Sequence, residues 1–177
     1  MLNIKNLKMP FEEKVNRSVL SELASKICDV ARAKSCTIST AESCTGGLIA
    51  SCLTSMPNAS QYFLCGFIVY SNYAKINVLS VDENLIDSYG AVSQEVARDM
   101  AVKCSMKTNS DIAISTTGIL GPGGGSSTKP VGLVYCAISF KSNIRIFKFN
   151  FAGNRNTIRN LVCKTVLNNA LSTLTAL

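Results

Sequence analysis

Segments of two different periods alternate along this chain, and that alternation narrows the folds open to it more than any other feature. From residue 11 to 34 the apolar positions Val15, Val19, Leu20, Leu23, Ile27, Val30 and Ala31 recur at three- and four-residue steps. That spacing predicts an amphipathic helix burying one stripe. A β-type run at 36–41 follows, then a turn around Ser43 and a helical run to about Ser55, broken by Met56-Pro57-Asn58. Residues 62–70 are a continuous aromatic and β-branched stretch, expected to be a strand covered on both faces. Ser71 is placed to cap a short helix that carries Lys75 one helical step beyond that strand. Residues 82–90 read as a short polar helix closing at Gly90, and Ser93-Gln94-Glu95 opens another through about Lys107. Three further strands are expected at 111–117, 131–140 and 143–151, the last two joined by the short turn at Lys141-Ser142 and so antiparallel. A helix over 154–174 faces Ile158, Leu161, Val162, Val166 and Leu171 inward.

Strands alternating with helices predict an α/β three-layer α/β/α sandwich around a mixed, mostly parallel sheet of about five strands. At 177 residues the chain is expected to form one domain over 1–177, with 1–10 a loosely ordered N-terminal segment. In such sheets, sites gather at the carboxyl ends of parallel strands. Ser43, Tyr70–Lys75 and Thr117–Gly118 each follow an expected strand end, which joins three weak local signals into one candidate site.

The first of these signals is Ala41-Glu42-Ser43-Cys44-Thr45-Gly46-Gly47. A strand ending in hydroxyls and two glycines before a helix can turn backbone N–H groups toward an anion or oxyanion. Ser43, Cys44 and Thr45 are each possible nucleophiles, and the same stretch also reads as an ordinary connection with Thr45 as N-cap. The chain contains no histidine, so Ser-His-Asp and Cys-His chemistry are excluded. Lysine, tyrosine or a carboxylate must serve as base to any hydroxyl nucleophile. The eight cysteines form no C-x-x-C pair and lie mostly in apolar runs. They read as free buried thiols in a reducing compartment, with no metal site and no cofactor implied.

Other stretches bear on partners. Gly118 to Pro130 is one long irregular segment whose Gly123, Gly124 and Lys129 could form an anion nest or simply a flexible hairpin connection. No Walker A spacing runs through it. Arg155 and Arg159 sit one turn apart near a helix start, unfavourable for cations and a pointer to an anion nearby. The remaining basic residues behind the net charge of +7 are scattered, with no helix-turn-helix, RRM or KH signature, so no nucleic-acid partner is expected. No apolar run approaches the about 18 residues of a membrane span, and the first residues lack a signal-peptide apolar region, so no membrane partner and a cytoplasmic location are expected.

In order, these motifs resemble the CinA C-terminal domain family, the nicotinamide-nucleotide amidases, in its stand-alone form. The resemblance rests on Thr40–Leu48, on Tyr70-Ser71-Asn72 with Lys75, and on Gly90-Ala91-Val92-Ser93. It continues through Thr117-Gly118-Ile119, Gly121-Pro122, Lys129-Pro130-Val131-Gly132, and Gly153 with Arg155 and Arg159. What it implies is metal-independent deamidation of nicotinamide mononucleotide to nicotinic acid mononucleotide and ammonia through a serine nucleophile. Carried onto this chain, Ser43 attacks and Lys75 is the general base, directly or through Tyr70. N–H groups around Cys44–Gly47 hold the oxyanion, with Thr45 and Gly46 among the substrate-binding residues. Thr117 and Gly118 line the nicotinamide and ribose side, while Gly123, Gly124, Lys129 and Arg155 take the 5′-phosphate. The implied partner is a small-molecule nucleotide, and a homo-oligomer is expected. Two positions depart from the family's pattern: Leu120 stands where a small residue is usual, and Asn154 where an aspartate commonly precedes the arginine. Cys44 as nucleophile, and a nucleotide-binding module without turnover, are the competing readings. Glu42 has no assigned role.

Overall fold

The protein is described by a computed structural model over residues 5–8, 17–141 and 143–176. Along these residues run β1 (Lys5–Lys8), α1 (Arg17–Ala33), β2 (Ile38–Glu42), α2 (Leu48–Thr54), β3 (Phe63–Ile68) and α3 (Asn72–Asn77). There follow α4 (Glu83–Tyr89), α5 (Gln94–Thr108), β4 (Ile112–Gly118), β5 (Leu133–Phe140), β6 (Asn143–Asn150) and α6 (Arg155–Thr175). The first predicted turns of α1, residues 11–16, lie outside the described residues.

The strands form one sheet in the order β1-β6-β5-β4-β2-β3. β3, β2 and β4 run parallel, β4-β5 and β5-β6 are antiparallel, and β1 lies parallel to β6. This is the mixed, mostly parallel α/β/α sandwich expected, with β1 as an additional edge strand drawn from the N-terminal segment. One face is covered by α1, α2 and α6: Leu20, Ile27, Ile49, Leu53, Val162 and Val166 pack with Ile38, Ile114, Val134 and Phe149 of the sheet. The other face is covered by α5, whose Val96 and Met100 meet Ala41 and Ala113, with Leu79, Val81 and Ile86 completing that layer. Full burial of each such aliphatic side chain contributes about 1.5–3 kcal/mol, which is why the three- and four-residue stripes of α1 and α6 are decisive.

Local signals set the element ends. Ser71 Oγ accepts from Ala74 N at 3.0 Å and Asp82 caps α4 through Asn84 N. Gly90 ends α4, and Ser93 Oγ accepts from Val96 N to open α5. β3 departs from expectation. It is an edge strand with alternate residues exposed, Leu64 and Ile68 at 46% and 59%. Its apolar composition matches that of a central strand, but it stands at the edge of the sheet, where only β2 pairs with it. β2, by contrast, is buried along its whole length, including the polar Ser39, Thr40 and Glu42. Because β3, β2 and β4 are parallel neighbours, the turns that follow them open side by side at one end of the sheet.

Candidate active site

The chain leaves β2 at Glu42 and folds into a tight turn. Ser43 N donates to Thr116 O at 3.0 Å and Gly46 N to Ser43 O at 3.1 Å. Gly46 and Gly47 have φ of 58° and 91°, the left-handed region that glycine occupies without strain. A Cβ on Gly47 would also stand 2.9 Å from Ile68 Cδ1. Glu42, only 1% exposed, turns its carboxylate to the start of α2 and accepts from Gly47 N at 3.0 Å, Ile49 N at 3.1 Å and Ala50 N at 2.8 Å. The residue without an assigned role is therefore the cap of α2, matched to the positive helix end. Thr45 is not the N-cap. Its hydroxyl is buried against Thr116 Oγ1 at 2.8 Å.

From α6, Arg159 grips the same turn: Nε donates to Thr45 O at 2.6 Å and Nη2 to Gly46 O at 3.4 Å. Its partners are carbonyl dipoles of the turn. With the N–H groups of Gly46, Gly47 and Leu48 engaged inside the protein, those of Cys44 and Thr45 have no acceptor on another residue among the described residues. They belong to the two residues that follow Ser43 in the chain.

Lys75 comes from α3, beyond the end of β3. Its side chain is 2% exposed, and Nζ lies 3.0 Å from Ser43 Oγ, 3.1 Å from Val69 O and 3.2 Å from Tyr70 O. Burial lowers the Lys75 pKa below lysine's ordinary value, because the charged form loses its hydration. As an ammonium, Nζ donates to all three oxygens. As a neutral amine it gives two N–H bonds to the carbonyls and presents its lone pair to Ser43, which then donates. This second arrangement is that of a general base on its nucleophile.

Ser43 and Lys75 sit in a cavity of about 180 Å³ lined also by Cys44, Tyr70, Asn72, Thr117, Gly118, Leu120 and Arg155. The Tyr70 phenol accepts from Arg155 Nη2 at 2.6 Å and is not among the hydrogen-bond partners of Lys75 Nζ in the described residues, while Arg155 Nη1 donates to Gly121 O at 2.8 Å. Thr117 donates from Oγ1 to Ala91 O at 2.7 Å. Leu120 is buried in the core and walls the cavity. Asn154 does not orient Arg155. Its side chain caps α6, accepting from Thr157 N at 2.9 Å.

The structure thus brings Ser43, Lys75, Tyr70, Thr117, Gly118 and Arg155 together around one cavity. Thr45 and Gly46 belong to the Ser43 turn but do not line the cavity, and Gly123, Gly124 and Lys129 also stand outside its lining. Lys129 Nζ donates to Tyr89 O and to Val92 O at 2.8 Å, tying the glycine loop to the α4–α5 connection. Cys44 is 6% exposed and burial pushes its thiol up to about 12. At neutral pH it carries almost no thiolate, the form that attacks. Among the described residues no three His, Cys, Asp or Glu side chains cluster to hold a metal ion, and no helix is long and apolar enough to cross a membrane.

The chain matches the family model of the CinA C-terminal domain over residues 20–174. It is 47% identical over 119 residues to a CinA-like protein of Geobacter sp. (strain M21), covering 67% of this chain and 29% of that protein. To a CinA-like protein of Fusobacterium nucleatum it is 50% identical over 125 residues, 71% of this chain and 30% of that one. The chain spans about three tenths of the length of the curated relatives it matches. Among solved structures, the competence/damage inducible protein CihA of Agrobacterium tumefaciens superposes with a TM-score of 0.85 at 36% identity, covering 94% of this chain and 99% of that one. A CinA superfamily protein of Klebsiella pneumoniae superposes with a TM-score of 0.86 at 27% identity, covering 89% and 99%. With the family model covering all but the ends of the described fold, the chain belongs to the CinA C-terminal domain family.

Proposed function

We propose that the protein is an amidohydrolase that deamidates nicotinamide mononucleotide, releasing nicotinic acid mononucleotide and ammonia. The observation that carries this reading is the buried Lys75 amine 3.0 Å from Ser43 Oγ on a cavity wall. Lys75 takes the Ser43 proton and Oγ attacks the amide carbon. The N–H groups of Cys44 and Thr45 receive the oxyanion, each good donor contributing about 3–4 kcal/mol. The tetrahedral intermediate collapses as Lys75 returns the proton to the departing ammonia, and a water activated by the same amine hydrolyses the ester. The substrate pyridinium favours the neutral amine, since a second cation nearby disfavours the ammonium.

Tyr70 serves through two groups: its carbonyl holds Lys75 Nζ and its phenol holds Arg155. Arg155 takes the 5′-phosphate by its planar fork, exchanging its present partners for phosphate oxygens. Thr117 and Gly118 line the nicotinamide and ribose side. Eight free cysteines fit a reducing, cytoplasmic setting.

The experiment is ammonia release from nicotinamide mononucleotide by purified protein. Turnover is expected in the wild type and in Cys44→Ala, and is lost in Ser43→Ala by on the order of 10³-fold or more. Nucleotide binding without ammonia release would instead make the domain a binding module, and activity surviving in Ser43→Ala but lost in Cys44→Ala would move the nucleophile.

A further inference from the structure

Cys52 on α2 and Cys163 on α6 face each other with their sulfurs 3.8 Å apart, although 111 residues separate them in the chain. Among the described residues they are the one cysteine pair whose thiols are in hydrogen-bonding contact. Cys163 is fully buried and Cys52 half-buried. Neither lines the Ser43 cavity. We propose that Cys52 and Cys163 form a redox modification site, a dithiol that hydrogen peroxide converts reversibly into a disulfide joining α2 to α6.

The chemistry needs only the two thiols and one peroxide. The Cys52 thiolate attacks a peroxide oxygen, the O–O bond breaks, and hydroxide leaves with the thiol's proton as water. The resulting sulfenic acid meets the Cys163 sulfur, an S–S bond forms, the S–O bond breaks and a second water leaves. Each sulfur gives up one electron and the peroxide takes two. Cys52 is the member suited to attack: it reaches solvent, and the contact with Cys163 lowers its pKa while the same contact, reinforced by burial, raises that of Cys163. The sulfurs must close to about 2.05 Å, a movement within reach of side-chain rotation and a small helix adjustment.

The placement gives the bridge a consequence. α2 begins at the turn capped by Glu42, and α6 carries Arg159, one helical turn before Cys163, on the carbonyls of Thr45 and Gly46. A Cys52–Cys163 bond staples together the two helices that hold the Ser43 turn. The inference does not rest on the amidase reading.

The test uses the full chain, reduced, treated with equimolar hydrogen peroxide, alkylated and digested without reductant. Mass spectrometry is expected to find one linked peptide pair, Cys52–Cys163, lighter by two hydrogens, with the other six cysteines alkylated and the link undone by dithiothreitol. The oxidised protein is expected to unfold at a higher temperature than the reduced one, because the bond closes a long loop in the unfolded chain. In Cys163→Ala the link is absent and Cys52 accumulates as sulfenic and higher acids. Recovery of both cysteines alkylated after peroxide, a link between any other pair, or an unchanged or lowered unfolding temperature overturns the proposal, and the wild-type result decides it even if the variant does not fold.

Discussion

Lys75 is the residue whose environment is most at odds with its chemistry. A lysine 2% exposed, with no carboxylate partner among the described residues, is held by one hydroxyl and two carbonyls. Its folded pKa is lowered by burial, so between that value and the unfolded value of about 10.4 the unfolded chain binds more protons than the folded one. Stability contributed by Lys75 therefore rises with pH across that window. Measured by denaturant titration from pH 7 to 10, the wild type is expected to gain stability relative to Lys75→Met, which has nothing to titrate. Turnover is expected to climb with pH along a limb below lysine's ordinary value, and Lys75→Met to lose it. Arg155 makes a different prediction at the same scale. Arg155→Ala is expected to raise KM for nicotinamide mononucleotide roughly tenfold or more, the loss of a charged hydrogen bond. It should leave the phosphate-free riboside nearly unchanged, and steady-state kinetics on the two substrates distinguish the cases.

At the scale of elements, the Ser43 turn is built by parts distant in sequence. β2 delivers Ser43, α2 receives the chain, and Glu42 supplies the cap that the glycine at the N-cap position cannot. Glu42→Ala leaves buried N–H donors without an acceptor, and a loss of about 3 kcal/mol is expected in urea denaturation. Glu42→Gln, which keeps one carbonyl acceptor, should recover part of it. The cap was signalled by a carboxylate just before a turn that opens a helix. What concealed it was register: Glu42 is the last residue of β2, and the donors it meets lie five to eight residues on. Arg159 was legible only as a cation at an unfavourable helix position. Its use, holding Thr45 and Gly46, depends on α6 bringing Arg159 to the turn that follows β2.

For the molecule as a whole, the sheet order decides everything that the list of elements leaves open. The return from the β4 loop into β5 passes Gly132, with φ of 96° and Phe151 O only 1.8 Å from where a Cβ would stand. Gly132→Ala is expected to destabilise by roughly 3 kcal/mol or more through strain and collision, and thermal unfolding monitored by circular dichroism would register it. This joint sets the antiparallel pairs β4-β5 and β5-β6, and so the position from which α6 starts.

The alternation of periods, with Ser71 and Ser93 at helix starts and Gly90 at a helix end, was enough to draw the helices and strands, because these are consequences of nearest neighbours along the chain; the caps by Asp82 and Asn154 emerged only in the structure. The missing histidine excluded imidazole as a base and left lysine, tyrosine or a carboxylate open, and only the family resemblance singled out Lys75. Composition misjudged β3, since an apolar strand looks the same at a sheet edge as at its centre until its partners are known. Only the tertiary structure set Lys75 on Ser43, turned Tyr70 to Arg155, drew Lys129 to the α4–α5 carbonyls and paired Cys52 with Cys163. Each of those contacts joins side chains brought by different elements, and the distance between them is decided by how the sheet orders its strands and how the helices pack on it, which no local stretch of sequence contains.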